Sequence, residues 1–130
     1  EGTADGRNGR RGRVRQGEVS QTIFNSEVVR RYILSGAKFV ATIRECRIYR
    51  DRVGRGVVLK LGDRRLRGRI VKVVGVEEAD KFIAVSGFRT VEEWLIEAKR
   101  LHGVRDLDGL CIVVVEVVTR SAASSARVIS

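Results

Sequence analysis

Ser35-Gly36-Ala37-Lys38-Phe39-Val40-Ala41-Thr42-Ile43-Arg44 marks the point where a helix gives way to a strand. Upstream, Val28, Val29, Tyr32 and Ile33 recur at helical spacing, and Asn25 or Ser26 can cap the first turn. Gly36 supplies the stop. Downstream, a period of two places Lys38, Val40, Thr42 and Arg44 on one face of a strand and Phe39, Ala41 and Ile43 on the other. A lysine, a threonine and an arginine thus share one face in front of an apolar backing.

Working outward, further strand signals fall at residues 21–24, 46–50, 56–61, 66–76 and 110–118, with Gly62-Asp63 as the turn between the third and fourth of these. Val57, Leu59 and Leu61 alternate with Val58 and Lys60, the pattern of a half-buried strand. Residues 111–115 are apolar throughout and predict a central one. A late helix is marked at both ends. Thr90 and Glu93 form a capping box, Val91, Trp94, Leu95, Ala98 and Leu101 make an apolar stripe, and Gly103 ends it. Trp94, Phe39, Phe82 and Phe88 are assigned to the core, and His102 to the final carbonyls of its own helix. Another helix is expected over 78–85. The sum is an α+β domain of five or six short, mostly antiparallel strands with two or three helices, able to curl into a small β-barrel.

At 130 residues and 43% apolar content the chain is expected to form one domain with a genuine core. That domain is placed at residues 21–119, between a Gly- and Arg-rich arm (1–20) and a small polar tail (120–130). The arm carries Arg7, Arg10, Arg11, Arg13 and Arg15 among glycines and cannot build a core. Either it is a mobile leftover or it lies along nucleic-acid phosphates and orders on binding.

The net charge of +10 points to a polyanionic partner. Residues 1–72 hold 19 of the 26 Lys and Arg against 7 of the 16 acids, a balance of +12, whereas residues 73–130 carry −2. Such a one-sided field concentrates phosphate far more than evenly scattered charge.

Several classes are set aside. No stretch approaches the ~20 apolar residues of a membrane span, so a protein in the cytoplasm, away from membranes, is expected. Cys46, Cys111 and the single His102 do not make a zinc site, and neither a metal nor a cofactor is expected. The two cysteines read as buried thiols, with a Cys46–Cys111 disulfide as the minor alternative. The first residue is Glu and Met is absent, which implies a lost or trimmed initiator. The Arg, Val and Glu content, with two Gln and two Asn, points to a thermophile.

Ile33-Leu34-Ser35-Gly36-Ala37-Lys38, Thr42-Ile43-Arg44, Ser86-Gly87-Phe88-Arg89-Thr90-Val91-Glu92-Glu93-Trp94 and the closing strand at 112–117 together resemble the ASCH domain of the PUA-like superfamily. The resemblance covers about residues 21–119. It implies a β-barrel with helices over its openings and a cleft lined by the Gly-x-Lys and Thr-x-Arg segments. It also implies RNA binding in translation or RNA metabolism, with tRNA or rRNA as the partner. Some members are amidohydrolases acting on N4-acetylcytidine through a Lys, a Thr and a Glu, which would make Lys38 the base and Thr42 the nucleophile. In this chain one extra residue separates that Lys from that Thr, and Ser86 or Val85 stands ahead of Gly87 where the enzymes carry Glu. The resemblance therefore favours binding over catalysis.

For RNA binding, Lys38, Thr42 and Arg44 are expected to form the polar floor of the cleft. Arg47, Tyr49, Arg50, Arg52 and Arg55 are read as a cationic hairpin with one aromatic, and Arg64, Arg65, Arg67 and Arg69 as a second cationic ridge. Tyr49 is either a stacking platform or a residue packed against the sheet. A monomer is expected, with a nucleoside or other small ligand as a further occupant of the cleft. A structural place in a ribonucleoprotein particle shares the same charge pattern.

Overall fold

The computed structural model describes residues 20–118. The predicted tail and the predicted arm, apart from Ser20, lie outside the described residues. Five strands form one curled sheet: β1 (Ser20–Ile23), β2 (Phe39–Glu45), β3 (Gly56–Leu61), β4 (Arg64–Gly75) and β5 (Leu110–Val118). Their order across the sheet is β1-β3-β4-β5-β2. All pairings are antiparallel except β1 with β3, which run parallel. The result is a mixed α+β half-barrel whose edge strands, β1 and β2, are not hydrogen-bonded to each other.

The helices are α1 (Glu27–Leu34), α2 (Cys46–Tyr49), α3 (Ala79–Phe82) and α4 (Val91–His102), with single 3₁₀ turns at Val76–Glu78 and Ile83–Val85. The caps follow the sequence signals. Ser26 Oγ accepts from Val29 N, Thr90 Oγ1 accepts from Glu93 N at 3.1 Å, and Gly103 ends α4 at φ 68°, a backbone region that favours glycine.

Two apolar layers flank the sheet. On the inner face Val40, Val57, Leu59, Ile70, Val113, Val115 and Val117 pack with Phe24, Val29 and Ile33 at α1 and with Tyr49. On the outer face Ala41, Ile43, Ile112 and Val114 pack against Trp94 and Ala98 of α4 and against Ala79. β5 is buried on both sides because its odd positions feed one layer and its even positions the other.

β4 changes face part of the way along. Ile70 pairs with Val115, but the next partner, Val114, faces Lys72, so one extra residue is accommodated at Val71. Before this bulge Arg65, Arg67 and Arg69 point outward. After it, Val74 joins the outer layer and Val73 the inner one. Gly68 lies where β3 and β5 close over β4: a Cβ there would come within 2.6 Å of Val115 Cγ1. Only glycine lets the neighbouring valines fill that space.

Three sequence expectations are corrected. Residues 46–50 do not extend as a strand, because the chain turns into α2 immediately after β2. The helix expected over 78–85 is three short pieces. Phe39, assigned to the core, is 39% exposed, since the outer layer ends before its row of the sheet.

The cysteines are joined as the Cys46–Cys111 disulfide, where the sequence favours two thiols. Cys46 N donates to Gly109 O at 2.9 Å, which carries the β2–β5 register one step past Glu45 and brings the two Cα atoms to 5.0 Å. The bond spans 65 residues, a loop for which chain entropy gives about 4 kcal/mol of stabilisation. Reduction, or the double variant C46A/C111A, should lower unfolding free energy by about 2–4 kcal/mol in guanidinium titrations. An unchanged midpoint would mean that the β2–β5 ladder alone holds this corner.

Candidate functional site

Two features hold site residues expected from the sequence: the uncovered part of the outer sheet face, and a cavity at the free edge of β2. The first follows from strand register. Residues directly opposite one another in a sheet share a face. Lys60 faces Arg65, Val58 faces Arg67, Gly56 faces Arg69, and Ile23 faces Lys60. Across β5, Arg67 faces Val118 and Arg69 faces Glu116, which in turn faces Phe39 of β2.

One surface therefore holds Lys60, Arg65, Arg67 and Arg69 beside the exposed apolar residues Ile23, Phe39 and Val118. Glu116 is the acid within it, and it pairs with Arg69 at 3.0 Å. Arg69 is mostly exposed and Glu116 partly so, and a pair open to water in this way adds little stability. Arg64 falls outside the row because it faces Leu61, a core residue, across the turn. The ridge read from sequence is thus three arginines and Lys60 on one face, with Arg64 at the tip.

The predicted cationic hairpin is not assembled as one. Arg47 lies on α2 and donates to Glu45 Oε1 at 3.1 Å, while Arg50, Arg52 and Arg55 lie in the turns leading to β3. Tyr49 is only 6% exposed, and its hydroxyl meets Thr22 Oγ1 at 2.7 Å. Of the two readings of Tyr49, packing against the sheet is the one found, and it ties α2 to β1. The signal for this was available in the helical spacing of Cys46 and Tyr49, masked by the strand-like composition of Cys-Arg-Ile-Tyr.

The second feature is a cavity of about 100 Å³ where the free edge of β2 faces the start of α1 and the flank of α4. Thr42, Arg44, Phe24, Trp94, Glu97 and His102 are among its walls. Arg44 Nε donates to Thr42 Oγ1 at 3.0 Å, and the guanidinium lies over the Phe24 ring, 4.9 Å from its centroid. Desolvation lowers the Arg44 pKa from its ordinary value, with Tyr49 acting in the opposite direction. Among the described residues no carboxylate forms an ion pair with Arg44. Glu97 is engaged by Arg100 at 2.7 Å, a hydrogen bond that holds its carboxyl below the usual range.

Lys38 is not part of this cavity. It is exposed one residue before β2, so Thr42 and Arg44 share the site and Lys38 does not. His102 reaches past its own helix end and meets Ile43 O at 2.9 Å, a correction to the expected contact with its own final carbonyls. Ahead of Gly87, Ser86 is fully buried and spends its hydroxyl on local bonds, donating to Ile83 O and accepting from Phe88 N. Its place is structural. Among the described residues no cluster of His, Cys, Asp and Glu could hold a metal ion, and no helix is long and apolar enough to cross a membrane.

No family model matches the chain. Uncharacterized protein 105 of Sulfolobus islandicus rod-shaped virus 1 is 44% identical over 86 residues, which cover 65% of this chain and 80% of that protein. Among solved structures, the crystal structure of hypothetical protein PH0355 matches 78% of this chain and 100% of its own, at 13% identity and a TM-score of 0.49.

The Thr22–Tyr49 pair gives a direct test of the core role. Tyr49→Phe removes one hydroxyl and leaves Thr22 buried without its partner, which should cost about 1–3 kcal/mol by denaturant titration. Unchanged stability would show that this pair does not anchor α2.

Proposed function

We propose that this chain, which belongs to the same family as uncharacterized protein 105 of the rod-shaped virus, binds RNA through the uncovered outer face of its sheet. The observation that carries the proposal is the row formed by Lys60, Arg65, Arg67 and Arg69, set by register on one face beside Ile23, Val118 and the exposed ring of Phe39. Cations on a sheet face neutralise phosphates, and an exposed aromatic in the same surface offers a base something to stack on. The strands fix the backbone spacing of these groups, while the exposed arginine side chains keep the rotamer freedom that binding must reduce. The lopsided charge of the chain adds a long-range attraction of the same sign.

The ASCH and PUA-like resemblance agrees with this reading at the level of a small, curled β fold, and we retain it as part of the proposal. Hydrolysis of an acylated nucleoside draws less support. Its intended base, Lys38, is outside the cavity that holds Thr42, and the Thr42 hydroxyl already accepts from Arg44. A place in a ribonucleoprotein particle would use the same cationic face.

The double variant R65A/R67A should weaken binding to single-stranded RNA and reduce the slope of log affinity against log salt by about 1.4, on the basis of ~0.7 per phosphate contact. Binding isotherms at several salt concentrations read both quantities. Equal affinity and equal slope in the variant would overturn the proposal.

A further inference from the structure

We infer that the cavity at the free edge of β2 is a binding site for a small oxyanion, a carboxylate or phosphate group held end-on by the Arg44 guanidinium and by the Ile43 backbone N–H. None of the four cations of the sheet face lines the site, although Ile23 borders both, and the inference stands independently of the RNA reading.

The strand edge supplies the first half of the evidence. Val117 N donates to Lys38 O at 2.7 Å and Cys46 N donates to Gly109 O at 2.9 Å, so the even-numbered residues of this stretch direct their backbone groups at β5. The odd-numbered residues direct theirs at the open edge. Two of those edge carbonyls are covered: Tyr32 donates its hydroxyl hydrogen to Phe39 O at 3.1 Å, and His102 Nε2 meets Ile43 O at 2.9 Å. Between them the Ala41 N–H, the Ala41 carbonyl and the Ile43 N–H have no partner among the described residues, and both residues line the cavity. Buried backbone groups are almost always paired, with a ligand or water where protein does not serve.

Arg44 supplies the second half. Its Nε is committed to Thr42, and Phe24 covers one face of the guanidinium, which leaves the two terminal nitrogens as an end-on fork. A desolvated cation without a carboxylate partner is unfavourable, and a planar fork of N–H donors matches the paired oxygens of a carboxylate or phosphate. The volume of about 100 Å³ admits a group of that size. Glu97 is on the same wall, but Arg100 holds its carboxylate, so it does not serve as the counter-ion.

Trp94 is the only tryptophan of the chain and lines the cavity, so its fluorescence reports occupancy. The full chain is titrated with inorganic phosphate and, separately, with acetate, at constant ionic strength against sodium chloride. A saturable change with at least one of the two anions, absent with chloride, is expected, and the tighter arm identifies the source as phosphate or carboxylate. Arg44→Lys should weaken that binding roughly ten- to a hundredfold by losing the fork, while R65A/R67A should leave it unchanged. Should Arg44→Lys fail to fold, amide shifts in the unaltered protein decide: the bound anion should move the Ile43 amide resonance. No saturation by either anion, an equal response to chloride, affinity unaffected by Arg44→Lys, or amide shifts confined to the sheet face would each overturn the inference.

Discussion

Everything in this molecule depends on β5 being apolar on both faces. Ile112, Val113 and Val115 are completely buried, and the alternation of a strand sends their side chains to opposite sides of the sheet. A strand of this kind cannot sit at the edge of a sheet with one side in water. It has to be central and covered twice, by α1 and Tyr49 on the inner side and by α4 on the outer. The parallel β1, the bulge at Val71 and the glycine at position 68 are the local adjustments by which the remaining strands curl around it.

Coverage of the outer face is incomplete. α4 covers the end of the sheet beyond the bulge and leaves the hairpin end bare. At the bare end the outward positions of β4 are arginines, which tolerate water, and the bulge is what lets one strand serve both environments. The cationic face is therefore the part of the outer side to which the apolar layer does not extend.

Elements whose signals are local were legible in the sequence. The strand at 110–118, the Gly62-Asp63 turn and the helix from Thr90 to Gly103 depend on period, caps and turn residues within a few positions, and they stand where those signals place them. What was not legible depends on partners distant in the chain. Cys-Arg-Ile-Tyr has strand-like composition, yet it becomes α2 because Tyr49 finds a hydroxyl partner in Thr22, 27 residues away, and Cys46 finds Cys111. Tertiary contacts of this kind override weak local preference. The candidate site divides in the same way. Period two grouped Thr42 with Arg44, but extending the strand by one residue to Lys38 overran its start, and His102 was placed on its own helix because the Ile43 carbonyl is 59 positions away.

The free edge of β2 raises a problem that every open sheet must solve, since an unpaired strand edge invites another strand. Here the solution is made of side chains from two different helices. Tyr32 of α1 covers the Phe39 carbonyl and His102 of α4 covers the Ile43 carbonyl, so a competing strand would find its hydrogen-bonding sites occupied at alternate positions. Only the segment around Ala41 stays open, and it lines the cavity of about 100 Å³ that Trp94 also borders. The same two contacts that protect the edge against association thus bracket the stretch of it that stays open.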